Sequence, residues 1–159
     1  MLPRDTGIRP DASQLRGLSY AKAKLYGMPH LGASYAGGGI GRTRLGDGAL
    51  CALCGRPAAN AHHEPPRSNG AFLLPTKWGQ FVLKPALIAL CGSGTAGCHG
   101  ARHDRRVAFE WRWADADAEA LWWSGYLLSH GYPPHSRRLL DLGGWYAGSG
   151  DEWTRIEGR

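Results

Sequence analysis

Val107, Phe109, Trp111 and Trp113 alternate with Ala108, Glu110 and Arg112, the period-two pattern of a strand with one buried face. Asp115 follows as an N-cap, with Asp117 and Glu119 in the first turn of a helix, where carboxylates meet the positive end of the backbone dipole. Leu121, Trp122, Gly125, Leu128 and Ser129 would form its inner face as far as Gly131, with Pro133-Pro134 beyond. Upstream, residues 58–63 read as a strand broken by Pro65-Pro66, and the apolar run 81–90, interrupted by Pro85, leaves a second strand near 86–90. Between them 67–80 reads as loop, with Asn69-Gly70 as a turn. Residues 92–97 form a glycine-rich loop, and Cys98 opens a short helix to about Arg105.

The flanks are less patterned. Residues 16–26 suit a short basic helix ended by Gly27 and Pro29. Gly37-Gly38-Gly39-Ile40-Gly41 reads as a flexible joint; it has neither the dinucleotide-binding glycine spacing nor a phosphate-loop lysine. The Gly- and Trp-rich stretch 137–153 decides for neither helix nor strand. Ile156-Glu157-Gly158-Arg159 equals a common engineered protease site and is set aside from function. The expected class is therefore α+β: a basic, partly mobile arm over 1–48, a centre over 49–106, and a strand-helix extension over 107–155 packed on that centre. A chain of 159 residues is long enough for one domain with a real core.

Charge sharpens this division. The net charge is +6 and the pI about 9.4. Residues 1–48 carry seven Arg or Lys against three Asp, 49–113 carry eight against three acids, and 114–159 carry four against seven. A basic front with an acidic tail suggests a polyanionic partner such as nucleic acid. Arginine outnumbers lysine fifteen to four, which favours bidentate phosphate contacts over point charges. No apolar run approaches ~18 residues, so no membrane span is expected. The start lacks the apolar stretch of a secretory signal, and the expected compartment is the reducing cytoplasm.

Chemistry concentrates in the centre. All four cysteines lie between positions 51 and 98. Cys51 and Cys54 form a CxxC knuckle, and Cys91 and Cys98 add a second pair across a loop rich in glycine, together a tetrahedral thiolate set for structural zinc. Four reduced cysteines packed as small hydrophobes is the plainer alternative. His99 and His103 are spaced i,i+4 on the expected helix, so both imidazoles project from one face and can chelate one ion. His62 and His63 point to opposite sides of an extended strand, so one can face the ion and the other an attacking water. That combination suits metal-assisted phosphodiester hydrolysis. Arg67, Arg102, Arg105 and Arg106 are candidate phosphate contacts or simply a solvated face. Trp111, Trp113, Trp122 and Trp123 are candidates for base stacking, though their spacing fits core packing better. Glu64 would orient an imidazole or lie on the surface.

Cys51-x2-Cys54, His62-His63-x2-Pro66, Leu90-Cys91 and Cys98-His99-x3-His103 together resemble the HNH endonuclease family, especially its phage and prophage members. The resemblance covers about residues 50–105. It implies a ββα-metal core with an appended four-cysteine zinc site (Cys51, Cys54, Cys91 and Cys98) in a bacterial host. It also implies His63 as general base, and His62 and His99 as catalytic-metal ligands with His103 completing the set. The activity implied is DNA cleavage or nicking that leaves 5′-phosphate and 3′-hydroxyl ends. The catalytic ion would be Mg²⁺, Mn²⁺, Ni²⁺ or Zn²⁺, and a phage terminase is an implied partner. One position departs from the pattern: Ala86 stands where the family has an asparagine that fixes the loop of the catalytic histidine. Lys84, Gln80 and Asn69 are the candidate substitutes. The departure leaves a second reading, a non-catalytic, zinc-stabilised module that binds DNA or protein.

Overall fold

Ala86-Leu87-Ile88-Ala89-Leu90 carries no polar side chain, and such a run is favourable only where both faces of a strand are covered. The computed structural model, which describes residues 26–76, 79–118 and 142–156, buries all five of these residues. This strand, β6 (Ala86–Leu90), pairs antiparallel with β3 (Asn60–Glu64), setting His62 opposite Ile88 and Glu64 opposite Ala86. On its other edge the Leu31 amide donates to the Leu87 carbonyl at 2.8 Å, and the Ala89 amide donates to the Leu31 carbonyl at 2.8 Å. Residues from the segment expected as an arm therefore supply a backbone neighbour to the most buried strand. Met28 and Leu31 are themselves buried.

The described residues form a mixed structure of short antiparallel strands with few helices. β1 (Ala33–Tyr35) pairs with β2 (Thr43–Leu45), so Gly37–Gly41 is the loop of a hairpin. A 3₁₀ turn spans Arg67–Asn69. β4 (Phe72–Thr76) and β5 (Gly79–Leu83) make a second hairpin. This corrects the reading of 67–80 as loop: the single proline and small polar residues had masked a cross-strand pairing that no local period announces. The helix α1 spans Gly97–His103, close to the expected 98–105.

β7 (Ala108–Trp113) buries Phe109 and Trp111 and exposes Arg112, as its alternation predicts. Asp115 caps the turn after it, its Oδ1 accepting the Ala118 amide at 2.7 Å. The undecided 137–153 stretch contains β8 (Gly143–Ser149) and the start of β9 (Glu152–Ile156), which complete a three-stranded sheet in the order β7-β8-β9. Its glycines had hidden it. A Cβ at Gly143 would lie 2.5 Å from the Arg112 carbonyl oxygen and 2.7 Å from the Trp111 ring, so the missing side chain is what lets the indole lie across the strand. Ile156, set aside with the terminal tetrapeptide, pairs with Trp145 and packs on the core.

Trp145 is buried against Trp111, and its Nε1 donates to the Pro29 carbonyl at 2.7 Å, joining the two ends of the described chain through one core. Trp111 is thus a core residue; Trp113 is partly buried against the same cluster. The expected helices over 16–26 and 115–131, with Trp122 and Trp123, fall largely outside the described residues. Among the described residues no helix is long and apolar enough to cross a membrane.

Candidate functional site

The knuckle forms because Gly55, at φ 77°, lets the chain reverse after Cys54, and the Gly55 amide donates back to the Cys51 carbonyl at 2.9 Å. The second pair is brought to it by β6, which Cys91 directly follows, and by the first turn of α1, which holds Cys98. The Cys91–Cys98 loop closes tightly. The Ser93 amide donates to the Ala96 carbonyl at 2.9 Å, the His99 amide to the Cys91 carbonyl at 3.1 Å, and the Asn60 side-chain amide to the Gly92 carbonyl. All four sulfurs lie within 4.8 Å of one another, with Cys54 and Cys91 Sγ 3.6 Å apart. A tetrahedron with Zn–S near 2.3 Å has an edge of about 3.8 Å, so four cysteines at this separation can hold a structural metal such as zinc.

The acid–base balance of the cluster agrees. Burial raises Cys51, but the amides of Cys54, Cys91 and Leu53 turned toward its sulfur outweigh that and hold it at about 7. Cys98 is pushed far up by burial and by the neighbouring thiols. A cation among the sulfurs would offset the cost of ionising Cys98.

Loop closure depends on one glycine. Gly92 sits at φ 85°, and a Cβ there would be 2.1 Å from the Ala96 carbonyl oxygen. Gly92→Ala is expected to destabilise the protein by at least the ~1–3 kcal/mol of a strained left-handed residue, with added cost from the clash. Chemical denaturation should show the lowered midpoint, and an unchanged midpoint would contradict this loop geometry.

His99 and His103 share one face of α1, as their i,i+4 spacing predicts, and β3 brings His62 to them. His62, His99 and His103 each present a ring nitrogen within 4.8 Å of the others, and His99 Nε2 and His103 Nε2 are 3.0 Å apart. Burial, with His62 and His103 nearby, lowers His99 to about 4, so its imidazole is neutral at pH 7. Its Nδ1 is buried without a hydrogen-bond partner. Three crowded imidazoles, one strongly disfavouring a proton, suit a divalent cation.

His63 projects to the other side of β3. It is half-buried, and its Nε2 lies 2.8 Å from the Ile40 carbonyl. A carbonyl only accepts, so Nε2 carries the proton and Nδ1 keeps a free lone pair. Burial lowers its pKa, reinforced by Arg67 and partly opposed by the Ile40 carbonyl. The loop that was expected to be a flexible joint is therefore what touches this histidine. Lys84 Nζ reaches the Gly39 carbonyl at 3.5 Å and lies over the Tyr35 ring, so it meets the same loop rather than His63. Asn69 is exposed on its 3₁₀ turn, and Ala86 is fully buried opposite Glu64. Spacing gave no sign of Ile40; only the return of the β1–β2 hairpin over β3 brings it there.

Both faces meet in one cleft of about 340 Å³, lined among others by Thr43, His62, His63, Arg67, His99 and His103. Arg67, Arg105 and Arg106 are exposed, and Arg106 makes a loose 3.3 Å pair with Asp104. Arg102 differs from them. Its Nε and Nη2 donate to the two Glu64 carboxylate oxygens at 2.8 Å each, and Glu64 also accepts from His62 Nε2 at 2.8 Å. Glu64 is 1% exposed, which settles its place: it is an interior carboxylate beside His62, not a surface one. Burial would raise its pKa, but the His62 and Arg102 hydrogen bonds hold it below the ordinary carboxylate range. The signal was present in the sequence, since His62 and Glu64 are two apart on a strand and so share a face.

No family model, curated protein or solved structure matches the chain.

Proposed function

We propose that this chain is a metal-dependent endonuclease or nickase that hydrolyses DNA phosphodiester bonds, with β3, β6 and α1 as a ββα-metal core braced by zinc on the four cysteines. The observation that carries the reading is the cleft itself. His62 from a strand and His99 and His103 from a helix gather on one side, while His63 stands beside them with its protonated nitrogen turned to a backbone carbonyl. His63 takes the proton from water through Nδ1, and the Ile40 carbonyl fixes its tautomer and stabilises the imidazolium that forms. His62, His99 and His103 hold the divalent ion (Mg²⁺, Mn²⁺, Ni²⁺ or Zn²⁺), which when bound supplies charge stabilisation at the phosphate and leaving oxygens. Arg67, Arg105 and Arg106 contact flanking backbone phosphates without reading bases. The likeness of the motifs to phage and prophage HNH proteins makes a terminase a natural partner and the bacterial cytoplasm the natural setting.

The test is supercoiled plasmid incubated with zinc-loaded protein and a panel of added divalent ions. Nicked circles in at least one metal support the reading, and an inert protein across the panel defeats it. Ala86, where the resemblance calls for asparagine, favours the second reading of a zinc-stabilised module that binds DNA or protein without cutting. Such a module would take up one metal per chain at the thiolates and none at the histidines.

The lowered His63 pKa carries a sign. A base must be unprotonated to act, so a depressed value moves the acid limb of the rate profile down. Nicking at saturating metal should persist below pH 6.5, the ordinary histidine value, and fail only as the pH falls past the lowered one. An acid limb above pH 6.5 would contradict the assignment of His63.

A further inference from the structure

We infer that Glu64 and Arg102 form a positioning clamp that sets the tautomer of His62 and locks β3 to α1, thereby determining how tightly the histidine cluster holds a divalent cation. The inference deepens the proposed function and rests on the histidine cluster being a metal site. Neither residue lines the cleft, and the Glu64 carboxylate is not part of the three-histidine group. Both stand behind it.

The geometry gives each atom one task. His62 is 2% exposed and Glu64 1%, so neither has water as an alternative partner. Glu64 Oε2 accepts from His62 Nε2 at 2.8 Å, which places the proton on Nε2 and leaves the Nδ1 lone pair as the one His62 can offer a cation. The same Oε2 accepts from Arg102 Nε, and Oε1 accepts from Arg102 Nη2, each at 2.8 Å. That planar two-point contact restrains rotation of the carboxylate in a way an ammonium would not. Arg102 lies on α1 between His99 and His103. One ion pair therefore ties the strand that carries His62 to the helix that carries the other two nitrogens. A ligand set drawn from two elements needs their separation held to tenths of an ångström, and outer carboxylates on ligating histidines typically change metal affinity by about 10- to 100-fold.

The test uses full-length protein with zinc on the thiolates, titrated with Co²⁺ and followed by its visible absorption, with His62→Ala marking loss of one ligand. Glu64→Gln alone leaves Arg102 facing a neutral amide, so the decisive variant is Glu64→Gln/Arg102→Met, which removes both charges together. The expected result is a folded, zinc-retaining double variant whose Co²⁺ dissociation constant is at least tenfold above wild type, with Arg102→Lys intermediate. A folded double variant within twofold of wild type overturns the clamp. On the wild type, ¹⁵N spectra of the zinc-saturated protein should show His62 protonated at Nε2. A proton on Nδ1 overturns the clamp without reference to any variant. If wild-type protein binds no Co²⁺ through histidine, the metal-site reading itself falls, an outcome distinct from equal binding by wild type and double variant.

Discussion

His63→Ala is expected to reduce plasmid nicking by about two to four orders of magnitude, the usual contribution of a positioned general base. Its magnitude follows from what the residue does and does not touch. His63 is outside the group of ring nitrogens formed by His62, His99 and His103, so the variant should bind the second metal as wild type does. Its side chain is half-buried and makes one hydrogen bond, to the Ile40 carbonyl. Losing it should cost only about 0.5–1.5 kcal/mol of stability. The discriminating measurement is single-turnover cleavage at saturating metal, together with Co²⁺ affinity. A variant that retains more than a tenth of the wild-type rate would remove His63 from the role of base. One that also loses the metal would show that the residue acts on the site's structure.

Stripping the thiolate metal should have the larger structural effect. Cys51 is fully buried and Cys91 nearly so. The Ala52 amide donates to Ala89 of β6 and the His99 amide to Cys91, at 2.9 and 3.1 Å. The cysteine loops are thus stitched into the centre of the core. Structural zinc in small sites contributes an apparent ~10–16 kcal/mol of binding free energy, as much as the whole stability of an ordinary domain. A strong chelator, or Cys51→Ser, is expected to abolish the cooperative thermal transition and the near-ultraviolet dichroism of the buried tryptophans. Affinity at the histidine cluster should go with it, because His99 follows Cys98 directly and shares its turn of helix. An unchanged transition after complete zinc removal would mean that the cysteines are only small apolar core residues.

Elements whose signal is local were readable in advance. β7 declared itself through alternation of large apolar and polar side chains, and β6 through an unbroken apolar run. The turn of α1 places His99 and His103 together because helical geometry puts i and i+4 on one face. Elements stabilised by distant partners were not readable. The β4–β5 hairpin and β8 depend on cross-strand pairing, and the glycines of β8 answer close neighbours across the sheet: Trp111 at Gly143, Arg155 at Gly144 and the Glu152 carbonyl at Gly148. The same divide runs through the site. The CxxC knuckle and the His99–His103 pair are legible from spacing and His62 joins them only through the resemblance, while the partner of His63 is Ile40, 23 positions away. Arg102, grouped by charge with the exposed arginines, turned out to be held by a buried carboxylate 38 positions away.

By itself the sequence determined which atoms are available: four sulfurs and three imidazoles, of which local backbone geometry presets only the CxxC knuckle and the i,i+4 histidine pair. Tertiary structure alone decided how those atoms are held. The Ile40 carbonyl that orients His63 and the Glu64–Arg102 pair behind His62 both arise where separate segments meet. Periodicity reports which side of an element faces inward, but a hydrogen bond across the fold is specified only when packing brings its two ends within about 3 Å.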